Sequence, residues 1–420
     1  MSVVRALTRT QEVFMFLDYL EEKKLDRLAL VGTNSQGKSY MISKDIKGDI
    51  AKKTILVTNE VKADENLKNS TDTSTLIVWL NSLLDNTKAK EAIQEQIDGV
   101  DLSSINNNSF LNISLNNNLE SYKGIISADI KTDSNKWGKP GSGERFLGQL
   151  LLISKILEDN PNENYEYLVI DEPEQHLHPS LYIKVGKILN KISHQGIKVI
   201  IATHSPVITQ NFIEDTEEIA KVINGELNPL PSTKGLMSFN LKYDCYTKEE
   251  LKNSSYKKIE DKYETYFNNF VLPIIIKSLF CDYMLLGEGA IESKIFDLYI
   301  MKYGSLMEKN NIEYSIVDGK IFFPLILSIL KELGIKTISL YDLDDENSDI
   351  HKYLNTTIET LSDKTIPFKP NIETRLKITK DMYKDKYRGS IILMNDLYID
   401  ENKELMDLFD EINTKIDELK

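Results

Sequence analysis

Residues 32–39 read GTNSQGKS. The stretch matches G-x-x-x-x-G-K-[ST] and follows the apolar run DRLALVGT at 26–33, which predicts a buried strand. A strand running into a Gly-rich loop and then a helix is the context this pattern needs in order to wrap phosphates. Main-chain N–H groups of Gly32, Asn34, Ser35 and Gly37 then face an anion. Lys38 supplies a point charge to the β- and γ-phosphates of a nucleotide, and the Ser39 hydroxyl is placed to ligate Mg2+.

Outward from this loop, TILV at 54–57 predicts a second strand. Leu76, Trp79, Leu80 and Leu83 have helical spacing within 74–96, with Ser74 as the cap. An Asn-rich stretch at 106–118 reads as a loop; FLNISL at 110–115 and GIISADI at 124–130 alternate like a hairpin pair. The Leu and Ile spacing predicts a buried helix over 145–158, then a strand at 167–170, a helix at 180–192 and a strand, KVIIA, at 198–202. Such alternation implies a largely parallel sheet. Residues 215–268 are more charged and aromatic, without a phosphate loop or a metal cluster, and read as a helical connector. A second strand–helix series starts at Tyr283 (YMLLGEG), continues through 312–317 and 337–341, and includes 390–394. The expected fold class is therefore α/β, with units at 1–225 and 281–420 joined by a connector over 226–280.

Three further segments carry nucleotide chemistry. LVIDE at 168–172 is a hydrophobic strand ending in two acids, Asp171 for the magnesium shell and Glu172 to polarise an attacking water. THSP at 203–206 follows a strand and sets His204 toward the γ-phosphate. In PGSGER at 140–145 the pair Ser142 and Gly143, followed by Glu144, opens a helix and presents N–H groups and a hydroxyl to an anion. The structural alternatives are a turn before Pro173, a packing histidine, and a flexible turn capped by Ser142.

The last third offers a different chemistry. LLGEGAIE at 285–292 runs from a strand into a helix with Glu288 at the turn. ISLYDLDD at 338–345 puts Asp342 and Asp344 at a strand end, where residues two apart face the same side. Two such carboxylates suit Mg2+ or Mn2+ rather than zinc, and two such ions can drive phosphodiester cleavage. A solvated acidic turn is the alternative. RLKITKDMYKDKYR at 375–388 is the best local basic patch, fit to track a DNA backbone or to be a solvated helix face.

Together these motifs resemble the ABC-type ATPases, in particular their SMC/RecF-like branch. Residues 32–39 look like the Walker A loop, 142–144 the signature motif, 168–172 Walker B, EQHLHP at 174–179 the D-loop, and His204 the switch histidine. The likeness implies a homodimer in which the signature of one protomer caps ATP held by the other. SLFCDYMLLGEGAIESKIF at 278–296, the later Asp-x-Asp and DGK at 318–320 resemble the Toprim domain of the OLD (overcoming lysogenisation defect) family of ATP-dependent nucleases. That resemblance implies Glu288, Asp342 and Asp344 as catalytic metal ligands, with Glu292 as a fourth. Gly287 stands where the family usually has a bulky apolar residue. The family's later acid and lysine have only candidates here, namely Asp396, Asp400, Lys377, Lys380 and Lys384.

The totals bound these readings. With 51 Lys and Arg against 65 Asp and Glu, the net charge of −14 means that any DNA contact must come from a local basic surface or from metal ions. No apolar run reaches the ~18 residues of a membrane span, and residues 1–9 lack a secretory apolar core, so no membrane partner is expected. Cys245 and Cys281 are too few for a disulfide framework, which fits a cytoplasmic protein. The resulting expectation is an ATP- and Mg2+-dependent dimer gating a Toprim DNA endonuclease, with Mn2+ as an alternative metal, DNA and a further defence protein as partners, and anti-phage defence as its setting. A competing expectation is an ATPase sensor or scaffold whose inactive Toprim-like domain recruits an effector. An ATPase subunit of a membrane transporter is disfavoured, because fused Toprim-like sequence has no place there.

Overall fold

The structure, a computed structural model, describes residues 16–33, 36–46, 54–57, 111–114, 129–132, 146–147, 150–151, 154, 157–158, 166–175, 177–239, 263–345, 347–378, 394, 397–399 and 401–420. The expected helix at 74–96 lies outside them, as does 390–393 of the last expected strand; its remaining residue, Met394, is buried in a helical conformation and not in a strand. The chain divides into two compact units, Met1–Leu230 and Pro231–Lys420, each α/β.

In the first unit a six-stranded sheet runs β2-β5-β6-β1-β7-β8, formed by β1 (Arg27–Val31), β2 (Thr54–Val57), β5 (Tyr167–Asp171), β6 (Lys198–Ala202), β7 (Ile219–Ile223) and β8 (Glu226–Pro229). All pairs are parallel except β7–β8. Every residue of β1 is buried, as expected of a central strand covered on both faces. α1 (Phe16–Lys23) packs Phe16, Leu17, Tyr19 and Leu20 into the core over this sheet. It is tied down by the Phe16 N–H, which donates to Asp45 Oδ2 at 2.8 Å, at the end of α2 (Lys38–Asp45). The region expected to be a buried helix has helical positions with Leu147, Leu150, Ser154 and Leu157 buried, one helix face. α3 (Tyr182–Ser193) and α4 (Pro206–Phe212) complete the unit. Of the alternating pair, the first strand is present as β3 (Leu111–Ser114), which pairs antiparallel with β4 (Asp129–Thr132); β4 shares only 129–130 with the expected 124–130, and 124–128 lie outside the described residues. Residues 219–223 and 226–229, within the stretch 215–268 read from sequence as a helical connector, are instead strand β7 and edge strand β8, because the Asn224-Gly225 turn folds β8 back on β7.

The second unit centres on four parallel strands in the order β10-β9-β11-β12: β9 (Tyr283–Gly287), β10 (Ile312–Ile316), β11 (Lys336–Asp342) and β12 (Lys364–Phe368). Strand alternation divides their side chains between two cores. Met284, Leu286 and Tyr341 join α5 (Leu272–Ser278), α7 (Phe323–Glu332) and α8 (Asp349–Leu361) on one side. Leu285, Ile338, Leu340 and Ile366 join α6 (Ala290–Lys309) and α9 (Lys403–Asp417) on the other. On α9 the buried set Leu405, Leu408, Phe409, Ile412 and Ile416 follows helical spacing, each side chain contributing about 1.5–3 kcal/mol by burial. Helices therefore cover both faces, the arrangement parallel sheets require. Among the described residues no helix is long and apolar enough to cross a membrane.

Candidate functional site

In the first unit, register gathers three motifs at one edge. Leu30 of β1, Ala202 of β6 and Asp171 of β5 lie in one row across the sheet. The next residues are held in step, since Thr203 N–H donates to Leu30 O at 3.1 Å and Glu172 N–H to Ala202 O at 2.7 Å. The 32–39 loop, Asp171-Glu172 and Thr203-His204 thus meet at the carboxyl ends of adjacent parallel strands, where open α/β sheets bind ligands.

Gly32 has φ +141°, and a Cβ there would lie 2.8 Å from Val222 O of β7. Only glycine fits that approach. The loop's far side is braced by the β7–β8 turn: Gln36 Oε1 accepts from Asn224 N–H at 2.8 Å and Gln36 O from Gly225 N–H at 2.8 Å. Gly37 caps α2, placing buried Lys38 and exposed Ser39 in its first turn. Lys38 Nζ donates to Gly32 O at 2.9 Å and Thr33 O at 3.2 Å, and lies 3.4 Å from His204 Nδ1. Burial lowers its pKa to about 8, with Glu172, Glu174 and Asp171 opposing the shift. Burial, and secondarily Lys38, lowers His204 to about 4, so its ring is neutral near pH 7. With Lys38 donating to Nδ1, the proton sits on Nε2, which faces Glu172 Oε1 at 3.8 Å. Between a neutral ring and a carboxylate that approach is dipolar, not an ion pair. Glu172 itself has φ +53°, a backbone conformation that costs a non-glycine residue free energy and is concentrated at functional sites.

Sequence reasoning gave Glu174 no role of its own, yet it straps this edge together. Its carboxylate accepts from Thr203 Oγ1 at 2.7 Å and from the His204 N–H. Ser205 then caps α4 through Ile208 N–H, with Pro206 in the first turn. The motif THSP thus has a structural reason at each letter. Asn34, Ser35, Ser142, Gly143 and Glu144 lie outside the described residues.

In the second unit Leu340 pairs with Gly287, which brings Glu288, just past β9, to the end of β11, where Asp342 N–H points at Glu288 Oε2 at 3.4 Å. A Cβ on Gly287 would lie 2.5 Å from Glu292 Cβ and 2.9 Å from the Phe296 ring. The absent side chain lets the first turn of α6 sit against the strand end and buries Glu292, whose Oε2 accepts from Gly289 N–H at 2.9 Å. The departure at Gly287 is therefore a packing solution. Burial raises the Glu292 pKa to about 7. Burial, then Glu292 and Glu288, raises Asp342 to about 8 despite a hydrogen bond from Ile372 N–H. Burial and Asp344 also raise Glu288.

Asp344 does not sit by strand alternation. β11 ends at Asp342, and Asp344, beyond the strand, has a left-handed φ of +57°, so the two-residue period that predicted convergence has lapsed. Its carboxylate is held instead by Lys320, which sequence reasoning passed over as functional and whose Nζ donates to Oδ2 at 3.0 Å; His351 Nδ1 lies 3.3 Å from the same oxygen. Glu373, buried and acting electrostatically on both Glu292 and Asp342, was also missed. DGK at 318–320 was visible as letters, but no local signal tied its lysine to an aspartate 24 residues on. Of the candidate lysines, Lys377 pairs with Glu404 on α9. Lys380, Lys384, Asp396 and Asp400 lie outside the described residues.

Among the described residues no group of three or more His, Cys, Asp or Glu side chains is arranged to hold a metal ion. The donor chemistry nevertheless fits a hard divalent cation: buried carboxylates raise one another's pKa, and an ammonium already stands in beside them as the cation.

Comparison with known proteins follows the same division. A family profile described as "AAA domain, putative AbiEii toxin, Type IV TA system" matches residues 145–209. One described as "Overcoming lysogenization defect protein-like, TOPRIM domain" matches 279–344. The chain is similar to the Old nuclease of Escherichia phage P2, 28% identical over 212 residues, covering 49% of this chain and 33% of that protein. It thus spans about a third of the length of this relative.

Proposed function

The chain joins an AAA-type ATPase domain to an OLD-like Toprim domain, and from that premise we propose that it hydrolyses ATP as a homodimer whose nucleotide state gates a metal-dependent DNA endonuclease. The observation that carries this is the row of Lys38, His204 and Glu172 at one sheet edge. In this reading the loop N–H groups and Lys38 bind the triphosphate, with Ser39 and Asp171 holding Mg2+ beside it. Glu172 polarises the attacking water, and neutral His204 offers its Nε2–H toward the γ-phosphate. Ser142, Gly143 and Glu144 of the second copy close the site.

At the second site Glu288, Asp342 and Asp344 would hold a divalent cation, with Glu292 and Glu373 beside them. A cation bound there would polarise the phosphodiester and stabilise its leaving oxygen. Likeness to the phage nuclease supports nuclease chemistry; DNA as the substrate, an anti-phage setting and a further defence protein as partner are part of the proposal. The alternative, an ATPase scaffold with an inactive Toprim domain, draws support from the lack of a preformed metal shell among the described residues.

Incubation of the protein with plasmid, Mg2+ or Mn2+, and with or without ATP separates the two. Cleavage that disappears in Glu288→Ala and Asp342→Ala supports the nuclease. Intact ATP turnover without cleavage under either metal selects the scaffold. Glu172→Gln is expected to bind ATP and not turn it over; hydrolysis at the parent rate removes Glu172 from its assigned role.

A further inference from the structure

We infer that Lys320 is a tethered competitor for the divalent cation of the second site, holding Asp344 in a self-neutralised arrangement that a metal ion must break. The inference rests on reading the acidic cluster as a metal site. Lys320 is delivered by the Asp318-Gly319 turn, which is fixed to β9 by Val317 N–H donating to Gly287 O and Gly319 N–H to Glu288 O, both at 2.9 Å. Its side chain is buried, and Nζ donates to Asp342 O and to Asp344 Oδ2 while lying 5.6 Å from the centre of the Tyr341 ring. A buried ammonium is stable only when paired, and these three partners supply the pairing.

The same arrangement explains why the acidic cluster has no ready coordination shell among the described residues. Asp344 turns to Lys320, Asp342 Oδ1 to Ile372 N–H, and Glu292 Oε2 to Gly289 N–H. A divalent cation must draw Asp344 away from the ammonium. Lys320 then stays close by through its bond to the Asp342 carbonyl and its place over the Tyr341 ring, and repels the ion. Lys320 therefore sets the metal concentration at which the site fills. A phosphodiester, by offering the ammonium another anion, lowers that threshold.

The test is Mn2+ binding to the full chain without nucleic acid, followed by the electron paramagnetic resonance signal of free Mn2+. Lys320→Met is expected to bind Mn2+ about tenfold more tightly than the parent, since one nearby positive charge is removed. Lys320→Gln is expected to do the same while keeping a donor for the Asp342 carbonyl, which covers the case in which the Met variant fails to fold. Lys320→Arg, which keeps the charge, is expected to bind within about twofold of the parent. Folded Met or Gln variants that bind Mn2+ equally or more weakly overturn the inference and leave the metal-site reading standing. If Glu288→Ala leaves the tightened binding intact, or if neither the parent nor the neutral variants bind Mn2+, the metal-site reading fails and this inference falls with it.

Discussion

Lys38 in the first unit and Lys320 in the second are buried to the same degree, each 5% exposed, yet they are held in opposite ways. Lys38 rests on neutral groups, two loop carbonyls and the His204 ring. Burial lowers its proton affinity, and the nearby acids only partly restore it. Lys320 is bonded directly to a carboxylate. An ammonium on carbonyl oxygens gives up little by turning to a phosphate, whereas one clamped to a carboxylate must be outcompeted. Burial alone therefore does not tell a ligand-binding lysine from a self-neutralising one; the charge of its partner does.

The largest effect expected from this contrast is at Lys38. Lys38→Ala should lower ATP turnover about 100-fold or more in a phosphate-release assay and leave Mn2+ binding by the second unit unchanged. A matching loss of Mn2+ affinity breaks the contrast. Next comes Gly287→Val, which forces Glu292 and Phe296 aside and should cost about 2 kcal/mol, read as a lowered urea midpoint. A parent-like midpoint means that α6 yields freely. Glu174→Ala leaves the Thr203 hydroxyl and the His204 N–H without their acceptor. It should lower kcat about tenfold with KM for ATP nearly constant; a change confined to KM assigns Glu174 to nucleotide binding instead.

The smallest effect is on pH dependence. Lys38 keeps its charge below its pKa of about 8 and loses it above, so nucleotide affinity should fall about fivefold from pH 7 to 9. Lys38→Arg should stay flat over that range. A flat profile for the parent, in a titration with a fluorescent ATP analogue, shows that Lys38 of the nucleotide-free protein keeps its proton throughout this range and overturns the lowered proton affinity.

What could be read in advance was local. Residues 32–39, 168–172 and 203–206 each compress one task into a few consecutive residues, and strand register alone then brings them to a common edge. The largely parallel character of the sheets was equally legible, because strands buried on both faces leave continuous apolar runs such as Leu28–Val31 and Tyr283–Gly287. Contacts between distant segments could not be read. Glu174 reaches Thr203, Lys320 reaches Asp344, and Glu373 approaches Asp342 only after the strands are ordered. Strand alternation placed Asp342 well enough but not Asp344, since it ceases to apply where the backbone leaves the strand for a left-handed conformation. Gly287 looked like a defect for a related reason: a glycine reveals which neighbour occupies its empty space only in three dimensions.

The turn at Asn224-Gly225 carries a practical lesson about trimming. It grips Gln36, while Val222 crowds Gly32, so the outer wall of the lysine loop comes from a hairpin almost two hundred positions downstream. A fragment cut just after His204 would preserve the described motif letters of the first unit and lose the buttress that shapes the first of them. The smallest piece able to grip a triphosphate must therefore run through Pro229.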